Sequence, residues 1–365
     1  MGLLRENFLH LQIIGLWAPV SWPPGSWKSR AYRLYTAVLV TMTYWFGITE
    51  SISLFFVVNT VEDFSDNSFM LLTTIIVCVK VDLILSKKSE IIALIATFEG
   101  SPHKPLNADE ERIQAEFNSR IRLISCIFGT IGEVSVCIMT ISVFFQEIPY
   151  GDLPYKAWIP YDYSKPVMYW FTFFLQLLAV IFLANVVIAF DTTLVGLFFL
   201  ICAQFNILSD RLNKVVDNFE TETMSKSGKD LSHVVQNCEN KIIDCVKYHR
   251  AIFKLSERIN LLYQTMTFVQ YSASTVVICI SLFMLSQVPA LSTKALFFFL
   301  YLLCMLVQIF TLCASANEAT IECKNVTTRI YNTKWYILTN QAKRYLSLVM
   351  VRTLRPVIFM SGSII

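Results

Sequence analysis

Long apolar runs alternate with charged segments along the chain, and the runs set the expected elements. Six of them, at about 36–58, 69–86, 123–145, 166–189, 262–285 and 295–316, are continuous rather than amphipathic. A hydrocarbon core about 30 Å thick takes roughly 20 helical residues to cross, and each run supplies that within a few positions. An unpaired backbone group in lipid costs several kcal/mol, so the runs are expected as helices that bond internally. Apolar character in the fourth run continues to Leu208, broken only by Asp191-Thr192-Thr193. Three polar residues are too few to turn a chain at a membrane surface. The pattern predicts one long helix that leaves the bilayer near Asp191, with its protruding V-G-L-F-F-L-I-C-A-Q-F covered by protein. A cytoplasmic helical bundle is expected there, built with 231–258 and 330–354. The second of these carries Lys334, Lys343, Arg344 and Arg352, too much charge for a bilayer centre. It predicts an amphipathic helix beside the membrane.

Charge settles the orientation. Lysine and arginine stay on the cytoplasmic side, and the segments alternate in them: four before the first run, none in 59–68, six in 87–122, two in 146–165. Nine follow in 190–261, one in 286–294 and seven after residue 316. That is 26 on one side against 3 on the other, with Lys80 inside a span. The N-terminus is cytoplasmic. Seven-helix G-protein-coupled receptors have the opposite orientation, and no cysteine lies in a predicted outer loop to tie one down.

Composition agrees. Of 365 residues 55% are apolar and 16% charged, against roughly 25% charged in soluble domains. Trp17, Trp22 and Trp27, beside prolines, suit a segment at the membrane interface, giving an N-terminal unit 1–35, a span unit 36–316 and a final unit 317–365. No basic stretch precedes an apolar core at the N-terminus, so no signal peptide is expected. After Pro356 an uncharged apolar stretch of nine residues begins, less than half a bilayer at 1.5 Å per residue. It reads as the start of a seventh span cut short, whether by a fragment, an alternative product or a true end. A true end would leave no pore wall and no ligand-evoked current.

Enzyme chemistry finds little support. The four histidines (His10, His103, His233, His249) have no metal-ligand spacing, and no phosphate-cradling loop or nucleophile elbow occurs. No cofactor is expected. Asp210-Arg211 reads as a solvated charge pair. Charges inside spans face the bundle interior and usually pair: Lys80 of the second run and Glu133 of the third share a depth, which fits a structural ion pair or a ligand or ion contact. Aromatics and methionine enrich the outer halves of the spans. Tyr169 and Phe173 are four apart, Phe298 and Tyr301 three apart, so each pair shares a helix face. Such a face is either lipid-facing packing or the wall of an apolar pocket.

Particular stretches carry a family likeness. F-F-L-Y-L-L-C-M-L-V-Q-I-F-T-L-C-A-S-A-N-E-A-T, R-I-Y-N-T-K-W-Y, K-R-Y-L and R-P-V-I-F-M-S-G, with I-I-G-L-W-A-P, L-P-Y-K-A-W-I-P and Y-H-R-A-I upstream, together resemble the insect odorant receptors. The resemblance implies an all-α, polytopic membrane fold: a seven-helix bundle of inverted topology with cytoplasmic anchor helices, its last pore helix truncated here. It implies a plasma-membrane receptor of olfactory neuron dendrites that binds small apolar volatiles and gates a cation channel as a heterotetramer with the odorant co-receptor. It also implies a pocket between the second, third, fourth and sixth spans. Helix face and depth then nominate Thr74, Val136, Met139, Tyr169, Phe173, Phe298 and Tyr301. The gustatory receptors share this fold. A membrane transporter, the reading from another class, would need internal repeats, and the halves of this chain show no similarity.

Overall fold

The computed structural model describes residues 3–19, 21–23, 25–56, 61–144, 153–155, 157–225, 229–289 and 292–362, without the side chains of 61–63, 66 and 229. The expected outer-loop segments 57–60 and 145–152, Lys156 and the last three residues lie outside these. Nine α-helices run through the described residues: α1 Arg5–Ile13, α2 Trp27–Phe56, α3 Val61–Ser86, α4 Lys88–Glu99, α5 Ala108–Val143, α6 Pro166–Ser225, α7 Lys229–Gln287, α8 Thr293–Tyr331 and α9 Asn340–Thr353. Six of them (α2, α3, α5, α6, α7 and α8) are long and apolar enough to cross a membrane, matching the six runs.

The fourth run is one helix. At 1.5 Å per residue the 60 residues of α6 reach about 90 Å, roughly three times the hydrocarbon thickness. Asp191-Thr192-Thr193 does not break it, because Thr192 and Thr193 return their hydroxyls to the carbonyls of Ile188 and Ala189, at 2.8 and 2.7 Å. Every residue from Val195 to Phe205 is buried, as expected of a helix apolar on all sides. Helices α5, α7 and α8 pack around it, and α1 closes the remaining side. Leu4 sits so close over Gly196 that a Cβ there would lie 2.4 Å from its Cδ2. Helices α7 and α8 also extend well beyond a bilayer, and α9 packs on both. Beyond a bilayer's length these helices thus pack together as a helical bundle. The stretch 330–354 is interrupted, however, by a short 3-10 turn at Trp335–Ile337, and Thr339 then caps α9 by accepting from the Ala342 amide at 3.2 Å.

Four expectations change. Trp17 is buried against Phe8 and beneath the Lys88 ammonium, so it is a core residue, whereas Trp27 is exposed. Asp210-Arg211 is no solvated pair. Arg211 holds Glu110 through two bonds, at 2.7 and 3.0 Å, caps the carbonyls of Pro102 and Lys104, and stacks on Tyr248 at 4.4 Å. This pins the α4–α5 loop to the bundle. Lys80 pairs with Asp191 at 2.7 Å rather than with Glu133, because α6 and not α5 lies beside α3 at that depth. The stretch after Pro356 is not helical through Gly362. It runs extended across the bundle, its backbone held by Asn260, Gln264 and Thr320. Phe359 meets Phe198 at 4.5 Å, and Gly362 turns with φ +70° beneath Phe268, where a side chain would be strained.

Two histidines are buried in this bundle. His103 bonds Gln204 at 2.8 Å, which Tyr248 also bonds at 2.8 Å. Burial lowers its basicity against the help of Gln204, and Arg211 lowers it further. Burial and then Arg352 push His249 down to about 4. Both groups are depressed, so the unfolded chain takes up more protons below its own histidine range. Their stabilisation is complete above about pH 6.5 and drains as pH falls toward 4. Thermal unfolding of the detergent-solubilised protein should therefore drop between pH 7 and pH 5. His249→Phe, which keeps the ring beside Phe253, should flatten that acid limb; an unchanged acid limb would assign the loss elsewhere.

Candidate functional site

A cavity of about 120 Å³ lies in the bundle between α3, α5, α6 and α8. Met70 and Thr73 of α3 form one wall. Phe128, Ile131, Gly132, Ser135, Val136 and Met139 of α5 form a second, and Val180, Leu183, Ala184, Val187 and Ile188 of α6 a third. Phe297, Tyr301, Cys304, Met305, Val307 and Gln308 of α8 complete it. Helices α5 and α6 close tightly at one point: a Cβ on Gly132 would lie 2.6 Å from Ile188 Cδ1, so a side chain there would have to push Ile188 aside.

The loop before α6 supplies the remaining wall. Gln176 grips the Tyr155 backbone from both sides, accepting from its amide at 3.3 Å and donating to its carbonyl at 3.0 Å. Trp158 donates its amide to the Thr49 carbonyl at 3.0 Å. These bonds hold the Tyr155 ring, edge-on to Phe46, against the cavity.

Polar groups in the lining are few. Thr73 donates to the Phe69 carbonyl at 2.9 Å and is bonded by the Tyr301 hydroxyl. The Ser135 hydroxyl is turned to the Cys304 sulfur. Gln308 donates to Asp191 Oδ2 at 2.5 Å, and the other oxygen of Asp191 takes Lys80. A buried carboxylate thus sits just behind the lining, answered by one cation and one amide. Among the described residues no cluster could hold a metal ion.

Three of the seven nominated residues, Val136, Met139 and Tyr301, line this cavity. Thr74 does not: it turns to α2 and donates to Glu50 at 2.8 Å, while its neighbour Thr73 takes the lining position. Phe298 packs edge-on to Phe69, and Phe297 faces the cavity instead. Tyr169 and Phe173 join an aromatic cluster with Trp170 and Phe144, about two to three turns before Val180 on α6. Gln308 and Gly132 were missed. A lone amide and a lone glycine within apolar runs were the signals that could have found them.

A family model described as "7tm Odorant receptor" matches residues 60–365. The chain belongs to the odorant receptor family. Odorant receptor Or1 of Anopheles gambiae is 22% identical over 381 residues, covering 99% of this receptor and 89% of that one. Odorant receptor 46a, isoform A, of Drosophila melanogaster is 24% identical over 272 residues, covering 72% and 68%. The solved olfactory receptor OR5 of Machilis hrabei shares the fold, with a TM-score of 0.84 at 15% identity over 99% of this receptor and 91% of that chain. Its complex with eugenol gives 0.82 at 14% identity with the same coverage. The receptor is thus an all-helical, membrane-spanning protein of a receptor family rather than of an enzyme family.

Proposed function

We propose that this receptor binds small, largely apolar volatile molecules in the cavity between α3, α5, α6 and α8. We further propose that occupancy gates a cation channel formed as a heterotetramer with the odorant co-receptor in the plasma membrane of olfactory neuron dendrites. The observation that carries the reading is the cavity itself: apolar, and bounded by four spans and a loop tyrosine. Its size is of the order that takes one aromatic ring, since an engineered apolar cavity of about 150 Å³ binds benzene. The eugenol complex of the Machilis receptor supports a small-molecule ligand. Helices such as α6, buried at both cavity and anchor level, are suited to carry a change at one end to the other.

Recognition in such a site rests on shape, where one methylene is worth about 1–3 kcal/mol. Coexpressed with the co-receptor, Tyr301→Ala should reorder odorant potencies by tenfold or more while surface labelling persists. Phe173→Ala, outside the lining, should change surface level more than ranking. Odorant-evoked current across a panel measures both. An unchanged ranking in Tyr301→Ala would count against the placement, and substrate uptake without the co-receptor would favour a transporter.

A further inference from the structure

The polar groups of this cavity are oriented by partners outside it, and their orientation selects a ligand chemistry. Asp191 is a carboxylate engaged by Lys80, and a carboxylate only accepts. The Gln308 atom that faces Asp191 Oδ2 at 2.5 Å must therefore be its nitrogen. The amide is pinned, and its oxygen occupies the opposite branch. Asp191 and Gln308 together line a small hollow below the main cavity, while Gln308 alone of the two reaches the main one. With nitrogen turned down to Asp191, the oxygen is left for the cavity floor. A second group is committed in the same sense. The single hydrogen of Thr73 goes to the Phe69 carbonyl, so in its bond with Tyr301 the tyrosine donates. Tyr301 then offers the cavity a lone pair rather than a hydrogen. Seven residues separate Tyr301 from Gln308, two turns on one face of α8, or about 10 Å.

We infer that Gln308, held by Asp191 and Lys80, is a specificity-determining acceptor that reads a hydroxyl on an otherwise apolar ligand, so that the receptor prefers alcohols and phenols over carbonyl compounds of the same skeleton. The inference rests on the cavity being the odorant site. A hydroxyl seated on the Gln308 oxygen gains a bond in a site with few competing partners. A carbonyl ligand would set acceptor against acceptor there, and a buried acceptor without a donor is costly. Tyr155, whose ring also lines the cavity, is the rival source of polar recognition.

The test is odorant-evoked current from the full receptor with its co-receptor, over triples that share a carbon skeleton, among them benzyl alcohol, benzaldehyde and toluene. The expected ranking places alcohols tenfold or more above their carbonyl and hydrocarbon counterparts. Gln308→Leu, which leaves Asp191 its Lys80 partner, should lower alcohol potency toward the hydrocarbon level, at least tenfold more than it changes hydrocarbon potency. Should that variant fail to reach the surface, Gln308→Asn keeps an amide one methylene short and should show the same selective loss. Carbonyl compounds ranking first, no active alcohol, equal losses across all three classes, or loss of the alcohol preference in Tyr155→Phe but not in Gln308→Leu would each overturn the inference. Val136→Trp separates the two levels. If it silences all three classes while Gln308→Leu spares alcohols, only the hydroxyl reading fails. If it silences none, the cavity reading fails first.

Discussion

Val136→Trp should abolish or weaken at least tenfold the response to every activating odorant, with surface labelling close to the parent receptor. Val136 is half-buried on α5 and borders the cavity, so an indole there grows into empty space of about 120 Å³ rather than into packed neighbours. Overpacking a filled core costs about 1–3 kcal/mol, but a cavity absorbs the bulk and relieves most of that strain. What is lost is room for the ligand. Concentration–response curves beside a cell-surface assay check this. A receptor that reaches the surface and keeps the parent potencies would place the odorant somewhere else.

Lys80→Met should nearly eliminate folded receptor at the surface. The substitution leaves the buried Asp191 carboxylate with only the Gln308 amide, and removing one partner of a buried pair costs about 3–5 kcal/mol. Whole domains are stable by only about 5–15 kcal/mol, so a large share of the margin disappears. Replacing both members by apolar residues is often nearly neutral, and Lys80→Met with Asp191→Leu should recover part of the surface signal. Glu133→Gln should have little effect. Quantitative surface biotinylation reads all three. A severe loss in Glu133→Gln with none in Asp191→Asn would restore the pairing first expected from depth alone.

The two predictions draw on different parts of what could be read in advance. The six candidate spans, the continuity of α6 and the need to cover residues 195–205 followed from apolar runs against bilayer thickness, a comparison that needs no partner residue. Lateral neighbours were less legible. Lys80 and Glu133 do share a depth range, but the partner of Lys80 depends on which helix stands beside α3, and α6 carried an aspartate regarded only as a surface mark. The pocket shows the same limit at finer scale. Thr74 for Thr73 and Phe298 for Phe297 are errors of one residue, or about 100° around a helix, which no amphipathic stripe resolves in a span apolar on all sides. Tyr169 and Phe173 lie about two to three turns from the cavity along α6. Aromatic richness marked the ends of the spans, whereas the space itself lies deeper, at the level of Gly132, Ile188 and Gln308. The end of the described chain shows a different gap. Apolar composition after Pro356 suggested a helix, but side chains and carbonyls of α7 and α8 supply the partners that let an extended segment lie there instead.

Odorant occupancy of the cavity is the claim on which the rest depends, and photolabelling addresses it directly. An activating odorant bearing a small diazirine, irradiated on the full receptor with its co-receptor, should label α5 and α8 at cavity residues such as Met139 and Met305. An excess of the unmodified odorant should suppress that labelling, and Val136→Trp should remove it. Competable labelling confined to the exposed faces of the spans, with Met139 and Met305 unmodified, would contradict the account.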